Sequence, residues 1–259
     1  MKKEVLLLNY EFDNYNGVII EKQDLPNNIE QFTLKLDALL LLIKHQGKQL
    51  IWFSLSIQQS KFIEVLTTAG FVFHNCLEDE ITLILRIQED AYAPFVPTHS
   101  IGAGALIFNE NQQILVIREH LANHTGFKLP GGHIELGEKI SEAIVREVFE
   151  ETGINSEFVG IQGFASKKVF RFGKSNVYFL CRLNALTQDI NIQDIDEIAE
   201  AKWCDVSTFI NDENNSLFVR EIVMKLQNEQ TLKLTKSMEN EEVNWKHEVF
   251  LADTSFIET

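Results

Sequence analysis

The chain has 259 residues, a formal net charge of −15 and 45% hydrophobic residues. Its length and apolar content allow one large or two modest cores, and its acidity argues against a protein that holds nucleic acid by charge. A polyanionic ligand would need metal ions or a local basic patch to offset the repulsion. From the N-terminus, residues 1–8 carry two lysines and a short apolar run that Asn9, Tyr10, Glu11 and Asp13 interrupt. The run is too short for a signal sequence and predicts a strand. Residues 17–21 predict another strand. Residues 28–45 predict a helix with Phe32, Leu34, Leu36, Leu39, Leu40 and Ile43 apolar, ended by Gly47. The apolar run 39–43 is closely flanked by charge, and no span approaches membrane length. Residues 49–55 predict a buried strand, 58–69 a second helix stopped by Gly70, and 71–73 with 81–87 a hairpin through the acidic turn 77–80. This alternation predicts a small α/β domain over residues 1–92. Cys76, Cys181 and Cys204 lack metal-site spacing, which predicts a reducing, cytoplasmic setting.

Residues 93–98, with Pro94 and Pro97, predict a linker. A second domain is expected over 99–230, with a tail of unassigned role over 231–259. Residues 99–108 alternate small and apolar side chains as a strand, where Gly102 and Gly104 allow close packing or substrate approach. A turn at 109–111 leads to a strand at 113–118, giving a hairpin. A polar loop follows, containing His120 and His124, read with His133 as polar surface. Phe127 is apolar bulk that either packs or stacks on a base. The turn Pro130-Gly131-Gly132 lets backbone approach a ligand closely.

Residues 138–152 lack Pro and Gly and predict a helix. At 100° per residue, Glu147, Glu150 and Glu151 fall within roughly a 100° arc, while Val145, Val148 and Phe149 share another sector. A solvated acidic face is the bland reading of such a triplet. The adjacent glycine turn favours a second one, in which hard oxygen ligands and a backbone carbonyl hold Mg²⁺ or Mn²⁺.

The stretch 132–154 reads GHIELGEKISEAIVREVFEETGI. It fills every fixed position of G-x5-E-x7-R-E-U-x-E-E-x-G-U, where U is apolar, and so resembles the Nudix box. The resemblance implies an α/β/α sandwich with a mixed sheet. It implies hydrolysis of the pyrophosphate of a nucleoside diphosphate derivative, with Mg²⁺, or alternatively Mn²⁺, as cofactor. Carried across by position, Glu147, Glu150 and Glu151 bind metal together with the Gly131 or Gly132 carbonyl. Glu138 and Arg146 brace the loop, and Gly132 and Gly153 are structural. The tract around residues 54–74 and the His99–Ala105 opening resemble the Nudix-type motif 6 and plant ADP-ribose/NADH pyrophosphatase group. That implies a partly acetyltransferase-like first domain, which shapes the substrate entrance or forms a homodimer. Residues 1–95 hold only Gly17, Gly47 and Gly70, so no glycine-rich acetyl-CoA loop is present.

Downstream, 156–165 and 176–183 predict strands joined by a basic tip at 167–175. The tip is either a solvated hairpin end or a place where Lys174 offsets phosphate charge and Phe170 or Phe172 stacks a base. Acids cluster again before Trp203. In the resembled family a glutamate here supplies a metal ligand or the general base, and Glu197 is the choice over Asp196 and Glu200. Glu150 or Glu197 is then the expected proton acceptor. Residues 206–211 and 215–227 predict helices, and the apolar stretch at 243–251 could add a strand or dock on a partner. The expected substrate is a small nucleotide, ADP-ribose or NADH, cut to AMP and a second phosphorylated product, with no nucleic acid or membrane partner. The alternatives are another nucleotide substrate or a non-catalytic regulatory module that binds nucleotide.

Overall fold

The computed structural model describes residues 7–23, 25–121, 126–168, 173–228, 230–234 and 248–252. The chain divides into two compact units, Met1–Pro97 and Thr98–Thr259. The first contains β1 (Tyr10–Phe12), β2 (Gly17–Ile20), α1 (Ile29–His45), β3 (Leu50–Ser56), a 3-10 helix (Ile57–Phe62), α2 (Ile63–Thr68), β4 (Val72–Cys76) and β5 (Glu80–Arg86). Its sheet runs β1-β2-β3-β5-β4, with only the β2–β3 pair parallel. The α1 crossover supplies that parallel connection. The helix starts at Asn28, whose side chain accepts the N–H groups of Glu30 and Gln31. Phe32, Leu36, Leu39 and Ile43 recur at helical spacing and bury against Val18, Ile20, Ile51 and Phe53. Each such side chain contributes roughly 1.5–3 kcal/mol on burial.

Two expectations change here, and a third lies largely outside the described residues. The strand expected within 1–8 falls largely outside the described residues, among which the first strand is Tyr10–Phe12. The expected helix 58–69 splits into the 3-10 helix Ile57–Phe62 and α2, the first opening with Gln59 Oε1 accepting the Ser56 N–H at 3.0 Å. The expected linker is partly packed: Ala91 and Ala93 are buried with Leu50 and Ile84 on the sheet face opposite α1.

The second unit contains β6 (His99–Ile107), β7 (Gln113–Glu119), α3 (Ile140–Thr152), β8 (Ser156–Lys167), β9 (Ser175–Ala185), β10 (Ile198–Asp205), α4 (Val206–Asn211), α5 (Leu217–Leu226), β11 (Lys233–Leu234) and β12 (Phe250–Leu251). Strands β6-β9-β8 form a mixed sheet, parallel between β6 and β9 and antiparallel between β9 and β8. Strands β7 and β10 pair antiparallel beside it. Period-two alternation sorts the side chains to two faces. Ala103, Ala105 and Ile107 of β6 join Ile144 and Val148 of α3 in one core. Leu106 joins Phe209 of α4 and Val223 of α5 in another. The unit is therefore an α/β/α sandwich with α3 on one side and α4–α5 on the other.

Candidate active site

The glycine turn is stitched to β6. The Ala105 N–H donates to the Pro130 carbonyl at 2.8 Å, and the Ala103 N–H donates to the Gly132 carbonyl at 2.9 Å. Gly131 sits at φ 137°, where a side chain is strained. A Cβ on Gly132 would lie 2.7 Å from the Glu147 carboxylate. The paired glycines thus let the α3 carboxylates press against main chain. Gly104 makes room for Tyr178, and Gly102, which also lines the site cavity, leaves space for the Gly132 carbonyl and the Tyr178 ring.

From this turn, residues 133–139 lead into α3, which closes on Gly153 in left-handed geometry at φ 72°. Arg146 holds Glu138 in a two-pronged pair at 2.8 and 3.0 Å and also reaches Glu147 at 3.1 Å and Glu150 at 2.9 Å. The Arg146 hydrogen bond holds the Glu138 carboxyl below its usual range. Glu147 is pushed up, chiefly by burial. Glu151 is only 4% exposed and accepts the Gly131 N–H at 2.6 Å. Burial pushes it up to about 8, opposed in part by Lys128 and by that N–H.

The acidic loop before β10 is tied to the same helix through its backbone. The Glu150 carbonyl accepts the N–H groups of Gln193 and Asp194 at 3.0 and 2.8 Å. Asp194 in turn accepts the Glu197 N–H at 3.0 Å, and the Glu197 carbonyl accepts the His120 N–H at 2.8 Å. Glu197 is thereby brought to Glu151: carboxylate oxygens of Glu119, Glu151 and Glu197 all lie within 4.8 Å of one another. Glu200 goes elsewhere. It faces Arg118 across the β7–β10 ladder and pairs with it at 2.7 Å, which lowers its carboxyl. Glu119 is ion-paired with Lys128.

Of these groups Glu119, Asp194 and Glu197 line a cavity of about 970 Å³, together with Lys128, Gly131, Gly132 and Asp196 and with His133 and Tyr178 among the other walls. A second cavity of about 600 Å³ shares Lys128, Asn176 and Tyr178 with the first. Its remaining wall is largely apolar, from Leu129, Leu180, Phe218, Val219 and Ile222. Phe127 lines neither. Lys202 Nζ sits 3.8 Å from its ring centroid, and the Phe127 N–H donates to Asn215 Oδ1 at 2.7 Å. Lys174 also lines neither, whereas Lys167 and Asn176 on the two flanking strands reach the second cavity. Phe170, Phe172 and His124 lie outside the described residues. Glu119, Lys128 and Tyr178 went unread in the sequence. The Gly102/Gly104 pair was the one available signal for a bulky neighbour.

A cluster of carboxylates around a buried, charge-starved Glu151 is a donor set suited to a hard divalent cation. Glu119, Glu151 and Glu197 could hold it, with Glu147 adjacent through Gly132. The Gly132 carbonyl already accepts one N–H and keeps a second lone pair.

Residues 98–226 match a family model described as NUDIX domain, and residues 8–87 match one described as Nudix hydrolase domain. The chain is 34% identical over 213 residues to Nudix hydrolase 8 of Arabidopsis thaliana, across 80% of this chain and 58% of that protein. The chain thus spans less than two thirds of that relative. It is 31% identical to nucleoside diphosphate-linked moiety X motif 6 of Homo sapiens, across 81% of this chain and 68% of that protein. The crystal structure of MutT protein from Methanosarcina mazei Go1 is similar at 23% identity and a TM-score of 0.44, across 52% of this chain and 96% of that one.

Proposed function

The chain belongs to the Nudix hydrolase family, and from that premise we propose that it hydrolyses the pyrophosphate of a nucleoside diphosphate derivative. The substrate we infer is ADP-ribose or NADH, with AMP as one product and Mg²⁺ as cofactor, Mn²⁺ substituting. One observation carries the reading: Glu197, from a loop distant in sequence, is gathered with Glu151 and Glu119 beside the glycine turn. A divalent cation bound there supplies Lewis-acid polarisation of phosphoryl oxygens and of water. The chain's own groups do the rest. Lys128 sets positive charge between the two cavities, where it meets phosphate. Glu197 takes the proton of the attacking water. Its carboxylate is exposed in the cavity and its backbone is fixed at both ends. Glu150 is the weaker base, because Arg146 already engages its carboxylate. Arg146 and Glu138 brace the loop against the helix. The apolar cavity suits an aromatic ring next to the cut bond.

Outside this centre, the unpaired thiols Cys76, Cys181 and Cys204 fit the cytoplasmic setting. The first domain, taken as 1–92, is assigned to shaping the entrance or to homodimer formation. The test is release of AMP from ADP-ribose and NADH with Mg²⁺, with products identified. Binding of either compound without turnover in Mg²⁺ or Mn²⁺ would replace the enzyme with a nucleotide-binding module.

A further inference from the structure

Helix α3 begins without a cap of its own. Its N-cap, Lys139, makes no side-chain hydrogen bond to the first turn, and lysine carries no acceptor. The acceptor comes from Glu248, more than a hundred residues further on. Its Oε2 accepts the Ile140 N–H at 2.6 Å, and its Oε1 accepts the Ser141 N–H at 3.2 Å and the Ser141 hydroxyl at 2.6 Å. A carboxylate at this end of a helix satisfies orphan donors and meets the positive end of the dipole.

The carboxylate is itself held in place. Phe250, two residues on, packs against the α3-side core with its ring centroid 5.8 Å from that of Phe158. Strand β12 pairs with β11. Just before β11, Leu232 exchanges two hydrogen bonds with Ile161 of β8, at 3.0 and 2.7 Å. Gly160 permits this, since a Cβ there would meet the Leu232 carbonyl at 2.5 Å. A continuous path therefore runs from β8 through β11 and β12 to the start of α3. Its intermediate steps, β11, β12 and Glu248, lie outside the 98–226 family match.

We propose that Glu248 is a positioning residue: the C-terminal segment sets the depth and register of α3 against the Gly131–Gly132 turn, and so the relation of Glu147 and Glu151 to that turn. The contacts at stake are specific. The Gly131 N–H reaches Glu151 at 2.6 Å, and Gly132 has no room for a Cβ beside Glu147. Residues 133–139 connect the glycines to the end that Glu248 grips, so loosening that end lets helix and turn move independently. This builds on the metal-centre reading above but concerns the helix itself.

The test compares full-length protein with Glu248→Ala and with Glu248→Ala/Lys139→Asp, which supplies a local cap in place of the remote one. Amide exchange is followed by NMR without metal, and Mn²⁺ affinity is measured separately, both at a temperature where all variants are folded. In Glu248→Ala we expect exchange at the Gly131 amide to quicken about tenfold and Mn²⁺ to bind about tenfold more weakly. The local cap should restore both. If only the Ile140 and Ser141 amides quicken, with Gly131 and Mn²⁺ affinity unchanged, Glu248 is a simple cap and the proposal is overturned. Glu151→Gln serves as the control for the metal centre. If wild type and this control bind Mn²⁺ alike, the metal reading fails, while the Gly131 exchange still decides the role of Glu248.

Discussion

Replacing Glu151 by glutamine keeps the side chain's size and its acceptor for the Gly131 N–H while removing its ability to ionise. In the folded protein the carboxyl is pushed up from 4.5 to about 8, with burial the largest cause. The folded state therefore holds a proton that the unfolded chain has already lost above pH 4.5. Stability associated with this group is full below pH 4.5 and drains away as pH rises toward 8, where the folded carboxyl ionises too. At about 1.4 kcal/mol per pH unit, the loss reaches roughly 5 kcal/mol by pH 8 and then levels off. Glu151→Gln lacks this loss. Urea denaturation in EDTA at pH 5, 7 and 9 should show the variant gaining on wild type by roughly 3 kcal/mol at pH 7 and 5 at pH 9. Adding Mn²⁺ at pH 7 should raise the stability of wild type but not of the variant. Parallel pH profiles for the two proteins between 5 and 8 would refute the assignment of a charge-starved Glu151.

Two other substitutions separate neighbouring roles. Glu197→Gln should lower kcat by about a hundredfold or more with little change in KM, while Glu200→Gln, whose partner is Arg118, should leave kcat within a few-fold; steady-state rates of AMP release decide between them, and equal losses would remove the distinction drawn between the two acids. Gly132→Ala places a methyl 2.7 Å from the Glu147 carboxylate, so the protein should fold, with its far-UV spectrum retained, yet lose most Mn²⁺-dependent turnover; full activity would mean the turn and helix are not held in this contact.

The helix that carries the acids could be read from residues alone because it lacks breakers, but its buried face could not: Glu151 is buried together with Ala143, Ile144 and Val148, while Phe149 of the expected apolar sector is exposed. The helix starts two residues later than the sequence predicts: Gly137 takes φ 83° and Lys139 is extended, so it begins at Ile140. That Glu197 and not Glu200 points to Glu151 depends on the register of β10 on β7, which sets Glu200 opposite Arg118. No local pattern encodes such a register. Tyr178 was hidden for the same reason, since it faces Gly102 only once β6 and β9 are paired. Glu119 and Lys128 are ordinary surface types in sequence, and their importance comes from pairing with each other at the cavity wall. The cap from Glu248 joins positions over a hundred residues apart, beyond any periodicity argument.

The two hydrogen bonds from Gln193 and Asp194 to the Glu150 carbonyl involve no side chain on either partner. The acidic loop is therefore fastened by groups that nearly every amino acid possesses, and only proline at 193 or 194 would remove a strand of that fastening. Asp194 also ties the loop through its side chain, which accepts the Glu197 N–H, but Asp196, which faces the same cavity, can change without the link to α3 coming adrift. Such an arrangement lets a lineage explore new substrates while the spacing between its acids is inherited intact.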